Sequence, residues 1–576
     1  MKKFVSLVFI SCIFSVFFGT GAFAQKSKTA TKNSIPADAD FWSNYPNEEL
    51  ADFIVSRLSD EELLAQIFMF GWAGEEPSAL LNQWVNDRGL GSVKVFGWNT
   101  NNTEQVAKSI SSLQELAQRR RYKIPLFVAT DQEGGTIRHV KGDTTITPGN
   151  MAIGASQYPV DAYYSAFYIS REIKALGINM NFAPTVDLYT NRDSSVINVR
   201  SFGEDAEFTG QLSSAYVAGS MAAGVIPTAK HFPGHGDTSS DSHIKLPGVY
   251  IDWEQAEKRE LVPYKYLISQ NVPAIMSGHL LYPKIEAEPA SLSRPWLTDI
   301  LRGKLGFKGL IITDDMMMTG AWGYAGSSSE AFKRAIEAGN DIILSSRTAE
   351  LDERLWTMNL ASIRNDPNFR KIVTLAAHRV ILEKLKYFKS GNAAPLFPEI
   401  SRLKDQIPDK EGQKFFLSQA CRAITVYKEG HFPYKGGDRL LVVGPADDEN
   451  RNESPFFAEA KKRYGDFAYY KIAFEKLGHV GIDWNGNQIE AMAGNYDTII
   501  FYVPNEEGAE IAKRLKNCGR RVYILSALTP IPVLTGFEFA DTILLGYSYS
   551  IYSYQALFAA LSGEFTPEGK LPLESH

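Results

Sequence analysis

Between positions 230 and 243 the chain reads Lys-His-Phe-Pro-Gly-His-Gly-Asp-Thr-Ser-Ser-Asp-Ser-His. One lysine, three histidines and two aspartates crowd into a stretch broken by Pro233, Gly234 and Gly236, directly after the apolar run 224–229. Such a segment cannot be buried in an apolar core without stripping water from its polar groups. It reads as chemistry mounted at the end of a strand. Asp241 and His243 stand two residues apart, so a carboxylate can orient an imidazole and favour its charged form near neutral pH. A second candidate is the run 310–313, which ends in Asp314-Asp315. A carboxylate at the tip of a buried strand can attack an electrophilic carbon, and an imidazole can supply and then remove the proton that the displacement needs. Asp131 closes the run 125–130, and an ionised carboxylate there can accept from two adjacent hydroxyls at once.

These residues sit in motifs that are similar to a known family. The 230–243 segment resembles the signature loop of the β-N-acetylglucosaminidase (β-hexosaminidase) branch of glycoside hydrolase family 3. That resemblance implies Asp314, the first Asp of a Thr-Asp-Asp element, as nucleophile, and His243 assisted by Asp241 as acid/base. It implies sugar contacts for Asp131 of Asp-Gln-Glu-Gly-Gly, Arg200 of Arg-Ser-Phe-Gly, and the Lys230-His231 pair. Asn181-Phe-Ala-Pro and Asp187 match a supporting strand, and His279 matches another strand-end histidine that is either functional or structural. The family usually carries an arginine eight residues after the first Asp of Asp-Gln-Glu-Gly-Gly. Here that position is His139, preceded by Arg138. Either Arg138 shifts into the role or His139 makes a weaker contact, so both remain substrate-binding candidates. The expected chemistry is retaining, through a covalent glycosyl-enzyme, with no cofactor and no metal. The expected substrate is a terminal β-linked GlcNAc on a peptidoglycan fragment (a muropeptide) or a chitin-like oligosaccharide.

The elements that must position these groups are eight short apolar runs, 67–70, 92–96, 125–130, 179–184, 225–230, 274–279, 309–313 and 341–345. Each is rich in β-branched or aromatic residues and too short for a core helix. Helix-patterned stretches lie between them: 103–119 with Thr103 as N-cap, 252–270, and 328–338. Eight such units predict an α/β fold, a (β/α)8 TIM-type barrel whose catalytic face collects the polar residues after each run, with a doubly wound sheet as competitor. Prolines 395, 398 and 408 mark a surface linker over 387–412. Runs at 423–427, 440–443, 498–503, 522–525 and 542–545, separated by helices such as 507–517, predict a smaller α/β sandwich domain with a largely parallel sheet. The expected division is a signal peptide 1–24, an extension 25–45, the barrel 46–386, the linker 387–412 and the sandwich 413–576.

The leader expectation rests on Met1-Lys2-Lys3, an apolar middle and Ala22-Phe23-Ala24, which read as an export signal cleaved after Ala24. The product would be periplasmic or secreted. No other stretch is apolar for the roughly 20 residues of a membrane span. The net charge of −6 becomes −8 once Lys2 and Lys3 leave, so there is no basic footprint for nucleic acid. Cys421 and Cys518 remain, and they read as two buried thiols rather than a disulfide. Oligomeric state is not legible. Three rival readings keep the same residues: a metal-dependent hydrolase using His231, His235, Asp237, Asp241 and His243; a family 3 β-glucosidase or a GlcNAc phosphorylase; and a carbohydrate-binding protein without catalysis.

Overall fold

All eight runs fold as strands: β1 Phe68–Phe70, β2 Ser92–Lys94, β3 Phe127–Thr130, β4 Met180–Asn181, β5 Ile226–Phe232, β6 Ala274–Ser277, β7 Leu310–Thr313 and β8 Ile343–Ser345. The structure is a computed structural model that describes residues 35–238, 246–447, 453–475 and 477–574. Neighbouring strands are all parallel, in the order β8-β1-β2-β3-β4-β5-β6-β7. A bridge between Ile312 and Ile342 brings the two ends together, so the sheet closes into a (β/α)8 barrel. Every residue of these strands is buried, which is why they read as unbroken apolar runs rather than alternating ones. Because all strands run the same way, the residues after β3 and β7 and at the end of β5 emerge on one rim.

Local chemistry sets the turns that make this possible. Helix Ala206–Ala223 starts at Asp205, whose side chain accepts from the Phe208 amide, and stops at Gly224, whose φ of +87° favours glycine. Two residues later β5 begins. Helix Thr103–Arg119 occupies the expected span, but its cap is Asn102, which accepts from the amides of Glu104 and Gln105, so Thr103 lies inside the first turn. The expected helix over 252–270 is two helices, Trp253–Lys258 and Val262–Ser269. Pro263 explains the break, since it has no amide hydrogen and is tolerated only in a first turn.

The second domain is a six-stranded sheet, β9 Thr425–Lys428, β10 Leu440–Pro445, β11 Ala468–Ile472, β12 Thr498–Val503, β13 Arg521–Ser526 and β14 Thr542–Leu545, ordered β9-β14-β13-β12-β10-β11. It is parallel except for the β9–β14 pair. β11 is a strand that the apolar pattern did not reveal. The 387–412 segment is shorter as a connection than expected, because helix Pro367–Phe388 enters it and helix Lys410–Ala423 begins inside it. It is tied to the barrel: Lys174 Nζ donates to the Asn392 carbonyl (2.9 Å) and side-chain oxygen (2.8 Å), and the Asp409 amide donates to Glu172 (2.8 Å). Cys421 and Cys518 are unbonded and half-buried. Among the described residues no helix is long and apolar enough to cross a membrane. The leader and residues 25–34 lie outside the described residues.

The chain returns to the barrel after the sandwich. The Lys570 amide donates to Ala155 O (2.9 Å), and the Glu204 amide donates to Pro572 O (3.3 Å). A Cβ on Gly203, which adopts a φ of +148°, would lie 2.5 Å from that Pro572 oxygen. Arg192 then joins Glu204 (2.6 Å) to the Glu574 carbonyl (3.3 Å). The tail of the second domain therefore lies against the Arg200-Ser201-Phe202-Gly203 turn.

Candidate active site

The rim residues form a string of alternating charge. Lys94 Nζ, at the end of β2, is 2.6 Å from Asp131 Oδ2, just after β3. Lys230 Nζ on β5 is 2.5 Å from the other oxygen of Asp131 and 2.6 Å from Glu133 Oε1. Arg200 grips Glu133 with two parallel bonds, Nε to Oε2 at 2.9 Å and Nη2 to Oε1 at 2.7 Å. Lys94, Asp131, Lys230 and Glu133 are all buried, so each needs its neighbours to stay charged. Burial pushes the Glu133 carboxyl up, but Arg200 and Lys230 outweigh it and hold the group at about 2. Burial opposes the charge on Asp131 as well, and Lys230 and Lys94 bring it well below the usual carboxylate range. Burial disfavours the Lys230 ammonium, yet Asp131 and Glu133 raise its pKa overall.

Backbone contacts fix the Arg200 turn. The Arg200 carbonyl accepts from Asn150 (2.7 Å), and Ser201 Oγ donates to the Asp187 carbonyl (2.7 Å). Asp187 in turn organises the start of the 230–243 loop. It accepts from the His235 amide at 2.6 Å, and its Oδ2 lies 2.7 Å from His231 Nδ1. An ionised carboxylate only accepts, so His231 Nδ1 is the donor in this contact. The expected supporting role of Asp187 therefore has a definite form. His279 is enclosed, with Nδ1 2.7 Å from Ser291 Oγ and Nε2 3.0 Å from the Asp315 carbonyl. Both ring nitrogens are engaged, which makes it a structural brace under the Asp314-Asp315 turn.

Asp314 follows β7, and its amide donates to the Ser277 carbonyl of β6 (2.9 Å). Its Oδ1 accepts from the Asp315 amide (2.8 Å). Burial raises this carboxyl, but His231, His279, the Asp315 amide and Lys230 hold it at about 2. Asp314 is thus an anion throughout the neutral range, as a carboxylate that attacks carbon must be. Lys230, which pairs with Asp131, also acts electrostatically on Asp314. Asp315 accepts from the Met317 and Ser346 amides (3.0 and 2.9 Å) and pins the turn to the loop after β8.

Of the two residues offered in place of the missing arginine, only His139 reaches the cluster, with Nδ1 3.4 Å from Asp131 Oδ2. Burial lowers its pKa to about 4, with the nearby lysines adding to the effect and Asp131 opposing it. Arg138 turns away, its Nη1 donating to the Thr144 carbonyl (2.9 Å) and hydroxyl (3.0 Å). Lys94 and Glu133 are cluster members that the sequence reading did not single out. Asp241 and His243 lie outside the described residues. Among the described residues no group of three His, Cys, Asp or Glu side chains could hold a metal.

A string of charged residues that can grip hydroxyls, next to an ionised strand-end carboxylate on a barrel rim, is suited to displacement at a sugar carbon. Residues 59–374 match the glycosyl hydrolase family 3 N terminal domain. Beta-hexosaminidase from Tolumonas auensis is 37% identical over 258 residues, 44% of this chain and 75% of that one. Beta-hexosaminidase A from Pseudoalteromonas piscicida is 37% identical over 282 residues, but the alignment spans only 47% of that longer protein and 46% of this chain. Among solved structures, a family 3 beta-N-acetylglucosaminidase from Paenibacillus sp. str. FPU-7 superposes with a TM-score of 0.77 at 28% identity, covering 90% of this chain and 99% of that one. A beta-glucoside phosphorylase, at 22% identity and a TM-score of 0.76, shares the fold. With the match running through the whole barrel and over more than half of its length, this chain belongs to glycosyl hydrolase family 3.

Proposed function

We propose that this glycoside hydrolase is an exported, exo-acting, retaining β-N-acetylglucosaminidase that removes terminal β-linked GlcNAc from peptidoglycan fragments or chitin-like oligosaccharides. The observation that carries the reading is Asp314, a carboxylate held at about 2 at the tip of β7 and coupled to the Lys230-His231 pair. In the proposed first step its oxygen bonds to the anomeric carbon as the glycosidic C–O bond breaks, and His243, oriented by Asp241, gives its proton to the leaving oxygen. Water then attacks the glycosyl-enzyme, returning its proton to His243 and freeing Asp314. Asp131, Lys230, Arg200 and His231 hold the sugar hydroxyls. The preference for an acetamido sugar is supported by the hexosaminidase relatives and by the resemblance of the 230–243 segment to the loop of that branch.

A panel of aryl β-glycosides tests this. The GlcNAc glycoside should be cleaved with kcat/KM at least tenfold above the glucoside, with the same product with or without phosphate and undiminished by a chelator. A preference for glucose, a sugar phosphate product, or loss on chelation would each replace the reading with one of its rivals. The proton-transfer role has its own signature. His243→Ala should lose about 10²-fold or more on glycosides with poor leaving groups and far less on activated aryl glycosides, which depart without protonation. Equal losses on both would remove the acid role.

A further inference from the structure

Two groups converge on the same oxygen of Asp131: the Lys94 ammonium at 2.6 Å and the His139 imidazole at 3.4 Å. They come from different parts of the rim, Lys94 from the end of β2 and His139 from just after the hairpin 132–138. Lys94 is buried, and its Nζ also stands 4.0 Å from the centre of the Phe96 ring and 5.2 Å from that of Phe182. Phe96 in turn approaches the His139 ring, with centroids 5.7 Å apart. A lysine in a buried barrel strand is costly unless its charge is used. Here it supplies the second of two cations on Asp131, one per oxygen, with Lys230 as the first.

The charged groups acting on His139 are Asp131, Lys94, Lys230 and Glu133. Two cations and burial disfavour its protonation, while two anions favour it. Position 139 therefore stands within reach of the oxygen that Lys94 now neutralises, and the two sites compete for one positive charge. We propose that Lys94 is a positioning residue for the sugar-binding carboxylate Asp131, and that it and His139 are electrostatically exchangeable: the cation can be seated on either β2 or position 139. Lys94 acts through Asp131, keeping it ionised and fixed so that both oxygens present lone pairs to hydroxyls. This proposal rests on the glycosidase reading of the site.

The exchange predicts a pH signature that a merely space-filling lysine would not give. In Lys94→Met, the imidazole loses a repelling neighbour and gains an Asp131 oxygen with no other cation. It should then take up a proton at acid pH and stand in for the ammonium. The ratio of variant to wild-type kcat/KM, which cancels titrations common to both, should be near one at about pH 5 and fall roughly 10- to 100-fold by about pH 8. His139→Ala alone should change kcat/KM only about two- to threefold. The pair Lys94→Met with His139→Ala should lose activity at every pH, and Lys94→Met with His139→Arg should recover it without the pH slope.

Wild-type turnover of the GlcNAc or glucose glycoside is measured first and reports on the proposed function by itself. The variants are then compared on whichever sugar the wild type cleaves, so failure of one reading is separable from failure of the other. A flat variant-to-wild-type ratio, or no recovery with Arg at 139, overturns the exchange. If Lys94→Met does not fold, Lys94→Gln replaces it with the same expected slope. If neither accumulates folded even with Arg at 139, the exchange is also overturned, because a cation at 139 should be an equivalent partner for Asp131.

Discussion

Replacing Asp314 with Ala is expected to lower kcat by about 10⁴-fold or more while leaving the barrel folded. The size follows from what is removed. Without a carboxylate at the tip of β7, no covalent intermediate forms, and water must attack directly on the wrong side for a site built for retention. The fold should survive because, among the described residues, the hydrogen bonds lost are few: Oδ1 accepts from the adjacent Asp315 amide, while the Asp314 backbone stays in the sheet through Ser277. The measurement is kcat on an activated aryl GlcNAc glycoside together with the thermal midpoint of the same sample. A rate within tenfold of wild type would remove Asp314 from the mechanism. A large loss of rate accompanied by collapse of the midpoint would say only that the turn is structural, and Asp314→Asn, which keeps the shape and drops the charge, then decides.

Lys230→Met should lower both activity and stability. The ammonium bridges Asp131 and Glu133 at 2.5 and 2.6 Å, so its loss leaves two buried carboxylates sharing Lys94 at one end and Arg200 at the other. Removing one partner of a buried ion pair costs roughly 3–5 kcal/mol, and here two anions are affected. The expected result is a clear drop in thermal midpoint at neutral pH with a more than 10²-fold loss in kcat/KM. The pH dependence has a definite sign. Glu133 is depressed from 4.5 to about 2 in the folded protein, so its contribution to stability is full above 4.5 and is lost as pH falls toward 2. Arg200 supplies the largest part of that contribution and Lys230 the next, and only the Lys230 part is missing in the variant. The gap between variant and wild type should therefore narrow as pH drops through this window. A gap that stays constant, or widens, would contradict the electrostatic account.

Much of the architecture was legible because parallel barrel strands are buried on both faces and appear as continuous apolar runs. β11 escaped because it lies at the sheet edge, where Tyr469 is 59% exposed and most of its neighbours are half-buried. The helix break at 259–261 could have been read from Pro263, whereas Asn102 and Thr103 are both able caps and the choice between them is made by backbone geometry. In the site, residue types and motif spacing pointed to Asp131, Arg200, Lys230, His231 and Asp314, but not to who holds whom. Lys230 and Asp131 are 99 positions apart and meet only because two strands end on one rim. Lys94 was invisible for a related reason: a single lysine in Ser-Val-Lys-Val reads as a strand residue facing water, and only closure of the barrel turns it inward. Glu133 passed as part of a motif until its two hydrogen bonds from Arg200 gave it a function.

The contact between residues 570–574 and the end of the Arg200-Ser201-Phe202-Gly203 turn ties the two domains together. Cutting the chain after the barrel should loosen that turn, because it removes the strap behind it. Inherited changes deep in the sandwich, far from any sugar, could alter ligand affinity by slackening that strap, so selection on substrate can act on residues that never touch it.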